Sequence, residues 1–184
     1  MSEATPRRRI VKPITVKRLE NIAAAYIDRY ASSSGRLRDV LLRRVRKARH
    51  ADAPVVDDAE SVIDGIVAKY VRNGVLDDRR FAERKADSLS RRGTSQRRIR
   101  EKLALARVGR DDVDHALTIL RDDGDSEFAA AVTLARRRRL GPFADPAVRR
   151  ERRDKHLAAM GRAGFALGLA RRVIDAKDED ALRE

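Results

Sequence analysis

The chain has 184 residues, 39% of them charged, with 43 lysines and arginines against 29 acidic residues and a formal net charge of +14. The absence of cysteine excludes disulfides and thiolate metal sites, and 4% aromatic content with no tryptophan favours several thin helical cores over one large one. Such a charge speaks for a polyanionic partner (nucleic acid, a nucleoprotein or an acidic membrane surface) and says nothing about the fold.

Residues 1–13 are polar, carry Arg7, Arg8 and Arg9 and contain Pro6 and Pro13, the signature of a flexible basic arm. They hold no apolar stretch of the kind a secretory signal needs, and no run approaches the roughly 18 apolar residues of a membrane helix. The expectation is a soluble, cytoplasmic protein with no membrane partner. From there the apolar spacing is helical almost throughout. Leu19, Ile22, Ala23, Tyr26, Ile27 and Tyr30 form a first stripe, which "SSSG" ends; Leu37, Leu41 and Val45 mark a second helix. The stretch "HADAPVVDD", residues 50–58, reads as a linker, followed by Ile63, Ile66, Val67 and Tyr70 on a third helix that stops at Gly74.

In the next stretch Asp77 suits an N-cap, which places Leu76 and Phe81 at hydrophobic-staple spacing and Asp78 in the first turn, where the helix dipole favours a carboxylate. Phe81, Ala82, Ala86 and Leu89 make the buried face, Gly93 stops the helix, and Thr94 or Ser95 can cap the following one. Ile99, Leu103 and Ala106 continue that core, and after Gly109 the apolar face is Val113, Ala116, Leu117 and Leu120. A further helix points Phe128, Val132 and Ala135 inward; Pro142 and Pro146 bracket a break; a long basic helix from about Ala147 carries Leu157 and Met160. Phe165, Ala170, Val173 and Ile174 belong to the last helix, and "AKDEDALRE" reads as a polar, frayed end.

Leu41 and Val45, Ile99 and Leu103, then His156 and Met160 recur at about 57 to 58 residues, a period compatible with a helical-repeat array. The expected fold is all-α, an elongated, curved array of three tandem three-helix repeats: 14–75 with the internal linker, 76–123 and 124–176, flanked by the arm and a polar tail at 177–184. No alternating β-branched run suggests a strand.

Residues for catalysis are missing from the pattern. Asp111 and His115 lie one helical turn apart, but no third ligand is near in sequence. The paired carboxylates Asp57/Asp58, Asp77/Asp78, Asp111/Asp112 and Asp122/Asp123 fall at helix ends, where capping accounts for them. There is no nucleophile elbow, P-loop or dinucleotide fingerprint, so neither an enzyme nor a cofactor or metal is expected. The positive charge instead gathers in three blocks: Arg91, Arg92, Arg97, Arg98 and Arg100; Arg136, Arg137, Arg138 and Arg139; and Arg149, Arg150, Arg152 and Arg153, with Lys155 beside them. Arginine outnumbers lysine 35 to 8, which suits bidentate contact with phosphate. Each block alone could be a solubilising face, but in successive repeats they could line one side as a strip tracking a phosphate backbone. Six of the seven aromatics fall on core stripes and only Phe143 is free, so recognition by base stacking is not expected.

The segment "NGVLDDRRFAERKADSLSRRGTSQRRIREKL" closely resembles the hallmark of the RecX family, regulators of the RecA recombinase, through Gly74, Val75, Leu76, Asp77, Asp78, Phe81, Ala82, Arg91 or Arg92, Gly93, Ile99 and Leu103. The ending "MGRAGFALGLARRVID", with Phe165, is similar to the family's third repeat; "RLRDVLLRRV" matches the first more weakly. The resemblance covers roughly residues 17–176. It implies a monomeric, non-catalytic protein that binds RecA and its filament on single- or double-stranded DNA and reduces filament growth, ATP hydrolysis, strand exchange and co-protease activity. The motif residues are mostly core and cap, so the three arginine blocks remain the candidate contacts with the filament or with DNA directly. A helix-turn-helix transcription regulator built on residues 94–120 and a non-specific nucleic-acid-binding protein are the competing readings.

Overall fold

A computed structural model describes residues 11–122 and 124–182. Most of the basic arm, Asp123 and the last two residues of the tail lie outside the described residues. The described residues form ten α-helices, two short 3-10 turns and no strand. The protein is therefore all-α, and it divides after Asp77 into two compact units.

The first unit is a triplet: α1 (Val16–Arg29), α2 (Ser34–Arg49) and α3 (Ala59–Arg72). Thr15 caps α1 by accepting the Arg18 N–H at 3.2 Å, and Ser33 caps α2 by accepting from Arg36 at 3.1 Å. The serine run thus starts α2 as well as ending α1. Leu19, Ala23, Leu37, Leu41, Val45, Ile63 and Leu76 meet in one core, and full burial of each large aliphatic side chain contributes about 1.5–3 kcal/mol. Just past the expected arm, Ile14 is buried, donates to the Pro54 carbonyl at 2.8 Å and accepts from Val56 at 2.8 Å, an isolated parallel bridge. Two expectations fail here. Asp58 sits at the N-cap of α3 with left-handed dihedrals and makes no side-chain cap bond. Tyr30 leaves the helix in extended conformation, so it is 53% exposed and rests beside Tyr26 instead of continuing the core stripe.

The second unit holds two such groups, a triplet and a triplet with a one-turn helix added. α4 (Asp78–Arg91), α5 (Gln96–Leu105) and α6 (Arg110–Asp122) close around Ala82, Ala86, Ile99, Leu103, Val113, Ala116, Leu117 and Leu120. α7 (Ser126–Arg138), a 3-10 turn at Gly141–Phe143, the one-turn α8 (Pro146–Arg149), α9 (Arg153–Arg162) and α10 (Leu167–Ile174) close around Leu134, Ala135, Met160, Phe165, Val173 and Ile174. The basic helix expected from Ala147 is two helices. The backbone leaves helical dihedrals at Arg152 (φ −92°, ψ 3°), so the buried face starts afresh at His156 and Met160. On α7 the buried residues are Ala130, Ala131, Leu134 and Ala135; Phe128 and Val132 lie half-buried at the edge. The tail is not frayed throughout: a 3-10 turn at Asp180–Leu182 inserts Leu182 into the same core.

The two triplets of this unit interlock through the α4–α5 turn. Gly93 has φ +79°, and a Cβ there would lie 2.8 Å from the Leu134 nitrogen and 3.1 Å from the Ala130 carbonyl oxygen. Only glycine meets both demands. Ser95, fully buried, caps α5 by accepting from Arg98 at 3.4 Å while its hydroxyl donates to the Ala163 carbonyl at 2.7 Å. Among the described residues no helix is long and apolar enough to cross a membrane.

Candidate nucleic-acid interface

All three arginine blocks fall in the second unit. In the first, the arginines lie off the apolar stripe and are exposed, as amphipathic spacing requires, yet most are engaged. Arg91 pairs with Asp87 on its own helix at 2.8 Å. Arg97 and Arg98 share Glu101 at 3.5 and 2.7 Å, and Arg100 pairs with Asp114. The Arg98 hydrogen bond holds Glu101 below the usual carboxylate range, and that of Arg100 does the same for Asp114. Exposed pairs of this kind stabilise little, because solvent screens them, but they neutralise much of the block. Two arginines also reach the third triplet: Arg98 donates to the Arg162 carbonyl at 3.0 Å, and the Arg92 carbonyl accepts from Arg137 at 2.6 Å.

That last bond brings the first and second blocks side by side. Within the second block, Arg136 lies 5.2 Å over the ring of Phe143 and pairs with Glu179 at 3.7 Å. Phe143 is therefore covered, packing against the third core, and Tyr30 is the exposed aromatic in its place. Arg138 ends α7, and Arg139 follows with φ +53°, held by the Leu140 N–H bonded to Ala135 at 2.9 Å. Both side chains are exposed, and neither has an ion-pair partner among the described residues.

The third block divides sharply. Arg149 donates to the carbonyls of Lys177 at 2.8 Å, Ile174 at 3.4 Å and Ala176, binding the C-terminal end of α10, where the helix dipole attracts a cation. Arg153 grips Asp175 with two bonds of 2.7 Å, which lowers the Asp175 pKa chiefly through that hydrogen bond. Arg150 and Arg152 are exposed and unpaired among the described residues. With Pro146, Ile174 and Asp175, the residues Arg149, Arg150 and Arg153 line an open cleft of about 460 Å³.

The histidines are committed elsewhere. His115 does not turn to Asp111: it accepts from Arg79 at Nδ1 and bonds Glu83 through Nε2, each at 3.0 Å. No group of three potential metal ligands occurs among the described residues. His156 is buried and accepts the Gly141 N–H at Nδ1, 3.1 Å away. Burial, then Arg152 and Arg149, pushes its pKa down. Sequence reasoning missed Glu127, which accepts the Gln96 N–H at 2.9 Å across the two triplets and whose pKa burial raises. It also missed Asp175 and Glu179 as arginine partners. Their contacts span 22 and 43 residues of chain, beyond any local spacing rule.

A family model described as RecX, second three-helix domain, matches residues 77–117, which take in α4, α5 and most of α6. The regulatory protein RecX of Myxococcus xanthus (strain DK1622) is 41% identical over 158 residues, 85% of this chain and 84% of that protein. The regulatory protein RecX of Agrobacterium fabrum (strain C58 / ATCC 33970) is 29% identical over 79% of this chain and 75% of its own. That of Ectopseudomonas mendocina (strain ymp) is 29% identical over 77% and 91% respectively. No solved structure matches the chain.

Proposed function

Because the chain belongs to the RecX family of regulatory proteins, we propose that it is a non-catalytic, monomeric, cytoplasmic regulator of the RecA recombinase. It binds RecA and its filament on DNA and restrains filament growth, ATP hydrolysis, strand exchange and co-protease activity, and so modulates recombination and DNA repair. The observation that carries this reading is the extent of the match to a regulatory RecX protein, 85% of the chain; it includes the helices that bear the arginine blocks. The contact surface is the set of guanidinium groups left over after internal pairing, foremost Arg138, Arg139, Arg150 and Arg152. Their charge steers the protein toward a polyanionic filament and makes the association fall with salt.

Co-sedimentation tests this. With RecA filaments assembled on single-stranded DNA in a slowly hydrolysed ATP analogue, the protein should pellet with the filament more strongly than with the same DNA alone. Equal pelleting with naked DNA would favour a non-specific nucleic-acid-binding protein, and no pelleting with either would remove the filament reading.

A further inference from the structure

The cleft between α8 and the end of α10 combines two features that a solvated basic surface does not need. Its guanidinium groups differ in how they are held. Arg149 is fixed by three carbonyl oxygens and Arg153 by both oxygens of Asp175, so these cations are ordered before any ligand arrives. Arg150, between them in sequence and on the same cleft wall, has no partner among the described residues and offers its whole fork. The ordering cost of two of the three side chains is thus met by the fold itself, the condition under which polar contacts yield affinity.

We infer that this cleft is a preformed seat for a phosphate of the nucleic-acid backbone, closed by Arg150. The assignment rests on the reading that the protein works on DNA and specifies where the strand is held. The donor arrangement favours a phosphodiester over a carboxylate of a protein partner. A carboxylate is planar and is satisfied by a single two-pronged fork such as that of Arg150, which leaves the charge of Arg149 and Arg153 beside it unused. The remaining positive charge comes from separate side chains, which suits a tetrahedral group whose free oxygens point apart. Three arginines against the single carboxylate of Asp175 leave the cleft walls positive.

The test is the affinity of the full chain for a fluorescent single-stranded oligonucleotide, without recombinase, read by anisotropy over a range of salt. Arg150→Ala is compared with Arg44→Ala, which removes the same charge from an exposed position on α2. Arg150→Ala should weaken binding severalfold more than Arg44→Ala and should lower the log–log salt slope by about 0.7, the value for one phosphate contact on a single strand. Equal losses in the two variants would mean diffuse charge and overturn the cleft. So would undetectable binding by the unaltered protein at low salt. If Arg150→Ala matches Arg44→Ala on the oligonucleotide but alone weakens RecA inhibition, the cleft holds a protein group and the phosphate assignment falls. Since no recombinase enters the binding assay, a failure of the RecA reading leaves its result standing.

Discussion

Gly93 stands where a left-handed backbone and a close approach coincide: φ is +79°, and a Cβ would meet the Leu134 nitrogen at 2.8 Å. Backbone cannot yield as a flexible side chain would, so Gly93→Ala should lower the unfolding free energy by about 2–3 kcal/mol. Urea denaturation followed by circular dichroism measures it, and a loss under about 0.5 kcal/mol, the scale of an ordinary surface change, would contradict the packing. His156 offers a test in pH. Its imidazole is buried and accepts the Gly141 N–H, and its pKa lies below the ordinary value, through burial first and then Arg152 and Arg149. The unfolded chain therefore takes up a proton near pH ~6.5 that the folded chain still refuses. Stability on this account is present above that pH and is lost as the pH falls toward the depressed folded value. Below about pH 6.5 the wild type should lose stability more steeply than His156→Gln, whose amide oxygen can replace the acceptor without titrating. Parallel curves would show that His156 does not sense the proton.

Ser95 joins two elements by one hydroxyl, accepting from Arg98 at the start of α5 and donating to the Ala163 carbonyl between α9 and α10. Ser95→Ala removes a cap and leaves the half-buried Ala163 carbonyl short of a donor, costing about 1–3 kcal/mol. Hydrogen exchange should quicken both in the first turn of α5 and in the α9–α10 turn; quickening in α5 alone would mean that the hydroxyl serves only as a cap. Much at this scale was legible in the sequence. Leu41 and Val45, Ile99 and Leu103, and His156 and Met160, picked out by recurrence, are all buried on the middle helix of a triplet, because helical periodicity reports directly which face is shielded. The departures occur where long-range contacts override local pattern. Leu182, in a polar tail, is drawn into the third core. Tyr30 keeps the stripe's spacing but lies past the helix end. The break at Arg152 has no proline or glycine beside it, so nothing local announces it. The candidate contact surface was legible only as composition, because which arginines remain unpaired depends on partners such as Asp175 and Glu179, supplied by the last stretch of chain.

For the whole molecule, a net charge of +14 sets the range and salt dependence of its encounters, while the unpaired arginines set what happens on contact. The paired variant Arg138→Glu with Arg139→Glu should fold normally, since neither side chain has an ion pair to lose among the described residues, and should bind filaments at least tenfold more weakly. Unchanged co-sedimentation would move the contact to another face. The central claim, that this protein restrains the RecA recombinase, is tested most directly by steady-state ATP hydrolysis by RecA on single-stranded DNA as the protein is titrated in. The account predicts that hydrolysis falls with well below one molecule of this protein per recombinase. Hydrolysis unchanged at an equimolar ratio would contradict it.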